Sequence, residues 1–347
     1  MNRSKLRYKH KLSVKGLTLL ELMISLSIGL VLFAGVISIF IGMRTTTAET
    51  SSYGELQENG RFAINVLTDD LLKQNFWGDY AGPLTISNIN PVPGPPLNEC
   101  TGGGLNNGTF PSPVVISNFR TLWGQTVVNS NPMGCFNNAK LGSDVLQLKR
   151  VIAAPLQTMV GVPPVATPVV NTTTNNFFLV ANLSKGTIFS QGAVPVIENS
   201  RVWQYQHHVY YVQEETQGTN LVPVLMQGQL TNGMVFSPII DGIDMIRFMY
   251  GIDTDTDPEA IGYGIVDAFV SADPVLGNGG MNSALWDEGR ILAVKIYVLA
   301  RSIRPDNDYT NTSTYQLGNL PVTVNDNFRR LLFTSTVYLY NSSEDSW

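Results

Sequence analysis

The 347-residue chain is poor in the residues that most often carry chemistry. It has three histidines, one of them near the N-terminus, and two cysteines, too few for a structural zinc site. No GxSxG, Walker, HExxH or GxGxxG-plus-acid pattern occurs, so catalysis has no positive support and the chain reads as a non-enzyme. Charged residues make up 14% of the chain and hydrophobic ones 44%, which excludes a disordered acidic or basic tail protein. Proline is absent before Pro83, the first of 19. That break predicts one long helix ending before a loop-rich, β-dominated body.

Charge is scarce but uneven. Residues 1–15 carry Arg3, Lys5, Arg7, Lys9, Lys11 and Lys15 and no acid, while the remainder holds 16 cations against 27 acids. A body of that sign is a poor non-specific nucleic-acid binder, so no direct nucleic-acid site is expected. From Leu17 to Met43 the chain is almost wholly apolar, with Glu21 as its one charge. The uncharged run Leu22–Met43 gives about 33 Å of helix, enough to cross a bilayer core. The basic leader orients the N-terminus to the cytoplasm, so everything past Arg44 is expected to be exported. A cleaved secretory signal would be shorter and would end on small residues. Here the small residue, Gly16, stands on the other side of the run, where a protease at the cytoplasmic face could accept it.

Glu21 is the most informative single residue. A carboxylate at the centre of a spanning helix costs roughly 2.5–3.5 kcal/mol on insertion scales, and less near the interface. Cutting after Gly16 would free an α-amino group on Leu17, with Glu21 four residues on. The carboxylate could then face its own N-terminus or that of a neighbouring copy, or simply reach the headgroups.

Beyond the membrane, Leu56, Ala63, Ile64, Leu67 and Leu71 share one helical face, and Phe62 and Val66 lie elsewhere. This predicts a helix from residue 17 to about 75, with 17–43 as its membrane half and 44–80 as its exported half. Residues 81–143 are rich in Pro, Gly, Asn and Ser and read as a loop-rich insertion. Cys100 and Cys135 bracket its centre, and in an exported chain a disulfide is expected, two free thiols being the alternative. Closing that loop would contribute roughly 3–4 kcal/mol in the chain-entropy model. From 144 to 347 strands dominate, over residues 145–151, 177–183, 202–212, 221–230, 243–250, 291–301 and 331–340. The expected fold class is α+β, a long N-terminal helix packed on an antiparallel sheet.

Two clusters invite a chemical reading. Asp253, Asp255 and Asp257 alternate in one loop, as calcium ligands do, although Pro258 and Gly264 break the EF-hand pattern. Calcium is the cofactor such a loop would take; the alternative is an acidic turn between strands. His207 and His208 are adjacent in a strand, so they point to opposite faces and cannot chelate one ion together.

The stretch Lys15-Gly16-Leu17-Thr18-Leu19-Leu20-Glu21-Leu22-Met23-Ile24 resembles the prepilin cleavage and methylation motif of type IV pilins and type II secretion pseudopilins. Leu17 stands where phenylalanine is usual. The segment from Leu56 to Gly78, with Asp69-Asp70-Leu71 and Phe76-Trp77-Gly78, resembles PilW-type minor pilins, as do Ile240–Asp244, Tyr250–Asp255 and Val294–Ser302. The resemblance implies that a prepilin peptidase cuts between Gly16 and Leu17 and methylates Leu17, and that Glu21 docks the subunit. It implies a pilin-like fold and a minor pilin that primes pilus assembly and rides near the filament tip, supporting adhesion, twitching motility or DNA uptake. Its partners would be other minor pilins, the major pilin and a tip adhesin, after residence in the inner membrane. The competing expectations are a type II secretion minor pseudopilin and a signal-anchored periplasmic enzyme or binding protein.

Overall fold

The long proline-free stretch folds into a single helix, α1, over Leu19–Leu72. The computed structural model describes residues 16–114, 119–156, 158–160, 167–169, 176–190, 192–218, 220–255, 257–259, 261–273 and 280–343. The basic residues 1–15 lie outside them. The chain divides into two units, Met1–Tyr53 and Gly54–Trp347. In the first, every described residue from Gly16 to Arg44 is exposed.

The second unit opens with the rest of α1, which ends three residues before the expected position. Asn75 (φ 58°) and Gly78 (φ 67°) turn the chain through left-handed conformations that favour these residue types. A Cβ on Gly78 would lie 2.4 Å from the Trp203 ring, so glycine is required there on both counts.

Fifteen strands follow among the described residues. The first six are β1 (Leu122–Thr126), β2 (Asp144–Val151), β3 (Thr158–Val160), β4 (Thr167–Val169), β5 (Phe178–Ala181) and β6 (Gly186–Phe189). The next four are β7 (Arg201–Gln217), β8 (Asn220–Leu230), β9 (Met234–Asp241) and β10 (Ile243–Asp253). The last five are β11 (Ala268–Ser271), β12 (Arg290–Arg301), β13 (Thr314–Leu317), β14 (Leu320–Thr323) and β15 (Arg330–Tyr338). Two short helices, α2 (Ser283–Glu288) and α3 (Tyr340–Ser343), complete the body.

A seven-stranded sheet is organised around the long β7. The first residues of β7 pair with β5, its middle with β2 and its second half with β8, all antiparallel. A second sheet has the order β11-β10-β12-β15, also antiparallel throughout. Each of the seven expected strands is present, as β2, β5, β7, β8, β10, β12 and β15.

The period-2 alternation of β7 gives the large sheet two buried faces. Tyr210 and Val212 join Leu56, Ala63, Leu67 and Leu71 of α1 and Ile246, Phe248, Val294 and Ile296 of the smaller sheet in one core. Fully burying each such aliphatic side chain stabilises by about 1.5–3 kcal/mol. On the opposite face, Trp203, Tyr205, Val209 and Tyr211 are covered by Trp77, Ile89, Phe110, Phe119 and Phe136. The loop-rich insertion is therefore a packed cover on the large sheet, within the same unit as the rest of the body. Gly60 lets α1 approach β15, since a Cβ there would lie 2.1 Å from the Phe333 ring. Between the sheets, Arg247 of β10 and Asp144 of β2 form a fully buried pair at 3.0 Å. Phe248 N and Thr126 Oγ1 donate to the same carboxylate.

Candidate functional site

The N-terminal segment carries the features expected of a processing and docking site. Gly16, Leu17 and Thr18 are exposed and precede the helix. Thr18 O accepts from Leu22 N at 3.1 Å, which makes Thr18 the N-cap of α1. Its hydroxyl accepts from Glu21 N at 3.3 Å, and Glu21 Oε2 accepts from Thr18 N at 3.1 Å. This reciprocal pair is a capping box, and the Thr18 hydroxyl also donates to Glu21 Oε2 at 3.1 Å. Glu21 thus already serves its own helix start through one oxygen, while Oε1 has no hydrogen bond among the described residues. Sequence reasoning weighed Glu21 against amines and headgroups and missed Thr18, although the T-x-x-E spacing was its signal. Both capping residues lie on the C-terminal side of the Gly16–Leu17 bond, so cutting there would leave the box intact.

Further along, the helix hides its hydroxyls as an apolar medium requires. Ser25 donates to Glu21 O at 2.7 Å and Ser27 to Met23 O at 2.8 Å. The helix is long and apolar enough to cross a membrane, and its apolar residues Leu22, Ile28, Phe33 and Ile39 are all more than half exposed.

In the cover, Cys100 and Cys135 are joined by a disulfide with a Cα–Cα distance of 5.0 Å. Nearby, a cavity of about 750 Å³ opens between Asn90–Pro95 and Pro111–Pro113, with Glu99 as its one charged lining residue. A single carboxylate offers no acid–base pair there.

The acidic loop differs from its expected composition. Oxygen atoms of Asp253, Asp255 and Asp267 gather within 4.8 Å of one another. Asp257 is not among them; it is exposed and accepts from Glu259 N at 3.0 Å. The chain turns away at Pro258 and returns with Asp267 just before β11, so the third carboxylate comes from the far side of the loop. Much of the oxygen capacity is already used. Asp253 accepts from Asp255 N at 2.9 Å and from Gly264 N at 2.7 Å, with Arg290 Nη1 3.4 Å away. Asp267 Oδ2 accepts from Thr254 N and Oγ1 at 2.8 and 2.6 Å, which lowers its pKa. A guanidinium beside the buried carboxylate and filled lone pairs suit an Asx-type loop better than a calcium cage.

His207 and His208 point to opposite faces, as their adjacency requires. His207 accepts from Gln147 Nε2 at 2.7 Å under the cover, whereas His208 Nδ1 lies 2.6 Å from Asp70 Oδ2. Asp70 of α1 also takes Arg150 Nη2 at 2.6 Å and the Tyr210 hydroxyl at 2.8 Å. Burial works against this carboxylate, but His208, Arg150 and Tyr210 outweigh it and hold its pKa well below the usual range. The cluster pins the C-terminal part of α1 to β2 and β7, and nothing in the local sequence marked it.

Two family models match the chain. Residues 209–341 match Type IV Pilus-assembly protein W, and residues 11–37 match the Prokaryotic N-terminal methylation motif. No curated protein and no solved structure matches the chain. The first match runs from the second half of β7 to α3, so it includes the C-terminal segments that suggested the family and leaves out the helical one. The second covers Gly16, Leu17 and the Thr18–Glu21 box. With the methylation motif at the start of an exposed apolar helix and the pilus-assembly segment running from the second half of β7 to α3, the chain is similar over these residues to PilW-type type IV pilus-assembly proteins.

Proposed function

We propose that the chain is held in the inner membrane with its N-terminus in the cytoplasm and its body outside. There a prepilin peptidase cuts between Gly16 and Leu17 and methylates Leu17. The freed subunit joins other minor pilins to prime the pilus, and the major pilin extends the filament beneath it. In this reading the subunit sits at or near the tip, where it supports adhesion, twitching motility or DNA uptake, and where a tip adhesin is its neighbour.

The observation that carries the proposal is the exposed run from Leu17 to Met43, uncharged after Glu21. So much apolar surface needs lipid first and neighbouring helices afterwards. Position at the tip is supported by the loop-rich cover on the large sheet, which suits a subunit present in few copies better than one repeated along a filament. The role is structural, resting on packing surfaces rather than on a reactive pocket.

The first test is intact mass and N-terminal sequencing of the chain expressed with and without a prepilin peptidase. A methylated N-terminus at Leu17 only with the peptidase is the expected result. An uncut chain, or one cut beyond Met43, overturns the proposal. Immunogold labelling of purified pili should then mark filament ends, and labelling along the shaft would refute the tip position.

A further inference from the structure

Proline is the residue met most often around the cavity in the cover, whose volume of about 750 Å³ suits a small organic molecule. Pro91, Pro93 and Pro95 line it from one segment, and Pro111 and Pro113 from another. Each proline presents an apolar ring and a carbonyl acceptor but no N–H donor. Val92, Leu105 and Phe110 add further apolar surface. No lysine, arginine or histidine lines the cavity, and Glu99 is its one charge. That carboxylate is held in place. Its Oε1 accepts from Thr109 N at 2.6 Å, and Thr109 O accepts from the Tyr205 hydroxyl of β7 at 2.5 Å. The next residue, Cys100, is fully buried and disulfide-bonded to Cys135. A Cβ on Gly108 would lie 3.2 Å from Glu99 Oε1, so glycine leaves room for that oxygen. Among the described residues Glu99 Oε2 accepts no hydrogen bond and Glu99 forms no ion pair. Buried Lys149 lies within its electrostatic reach, but Nζ donates instead to Asn107 O, Asn107 Oδ1 and Arg120 O. Half-buried Glu99 thus offers one unused oxygen and its charge to a largely apolar, proline-lined space.

We propose that this cavity binds a small organic cation, an ammonium or guanidinium carried on an apolar body. The cationic head donates to Glu99 Oε2 and to proline carbonyls, which lack any competing N–H of their own. The apolar body packs on the proline rings, Leu105 and Phe110. A neutral molecule of the same shape forfeits the charge-assisted contact, which is worth about tenfold or more in affinity. An anion of that shape meets the Glu99 charge and is excluded. The site concerns the cover alone and does not depend on processing at Gly16.

The test is photolabelling of the full-length chain in non-ionic detergent, followed by mapping of the labelled peptides. The probes are 4-azidobenzylammonium and the neutral 4-azidobenzyl alcohol, at one subsaturating concentration. The expected result is labelling within residues 86–113 by the cation at about ten times the yield given by the alcohol. Excess unlabelled benzylammonium should protect these residues. Glu99→Gln keeps an acceptor for Thr109 N and should bring the cation down to the yield of the alcohol. Equal labelling by the two probes, or no labelling of these residues, overturns the proposal on the wild-type chain, whatever the variant does. So does undiminished labelling by the cation in a folded Glu99→Gln chain. Protection by the capped tripeptide acetyl-Phe-Lys-Phe amide at about a tenth of the benzylammonium concentration would assign the site to a protein partner, and that too overturns it.

Discussion

Replacing the two members of the capping box separately distinguishes a docking charge from a helix cap. Thr18 and Glu21 exchange hydrogen bonds at 3.1 and 3.3 Å, so removing either side chain breaks the box. Thr18→Ala deletes the cap and keeps the charge, and loss of such a cap costs about 0.5–2 kcal/mol, or about 2- to 30-fold in occupancy of the ordered first turn. Glu21→Gln does the reverse. Glutamine serves at this position of a capping box, so the contacts to Thr18 survive while the charge is lost. Glu21→Ala removes both.

If the carboxylate docks the subunit, Glu21→Gln and Glu21→Ala should lose pili alike, and Thr18→Ala should reduce them only a few-fold. All three should insert and be cut normally, because the uncharged run from Leu22 to Met43 is untouched. Sheared-pilus immunoblots beside membrane fractions and cleavage assays make the comparison. Wild-type piliation in Glu21→Gln, with loss in Thr18→Ala, would refute the docking charge and leave the cap as the reason for Glu21.

Two further predictions concern the body. Asp70 has a folded pKa below its unfolded one, so its contribution is present above about pH 4 and is lost as the pH falls below that. Asp70→Asn should lower the Tm at pH 7 and flatten the acid limb of the Tm–pH curve, and an unchanged limb would show that the cluster does not couple protonation to stability. Truncation in Asp70→Ala, which leaves Arg150 without its partner, should cost about 3–5 kcal/mol in denaturant unfolding. In the acidic loop, Arg290 and backbone amides already occupy Asp253, so millimolar calcium should shift the Tm by less than that of a control protein with a true calcium site. A calcium-dependent rise that Asp267→Asn removes would restore the cation reading.

Much of this was legible because the local signals were strong. The apolar run, the Gly16 junction and Glu21 occur together in 28 residues, and the seven expected strands have the β-branched, alternating composition that a pleated sheet selects. The strands that escaped notice are short or carry breakers. β1 contains Gly124, β6 begins at Gly186, β13 and β14 flank Gly318, and β9 holds Pro238. The last is tolerated because, among the described residues, β9 pairs only with β8, and Pro238 lies where their register shifts. The Asp70 cluster was illegible for another reason. Asp69 and Asp70 look alike in sequence, yet one is exposed and the other buried. Only the pairing of β2 with β7 brings Arg150 and His208 to the same helix turn. Long-range register, unlike composition, leaves no local mark.

The family match and the core division agree on where this subunit is general and where it is particular. The matched residues, from the second half of β7 onward, include the strands of the smaller sheet that share a core with α1. A helix proposed to carry a filament contact needs a rigid seat, and this core provides one. The unmatched middle supplies β1 to β6 and the cover, with its disulfide and its buried Lys149. That cover sits on the face of the large sheet opposite the α1 core. A surface opposite the helix seat is free to vary without disturbing the packing of α1. Binding differences between members of the group should therefore map to residues 76–139, and exchanging that segment between relatives should change surface binding while leaving cleavage and piliation intact.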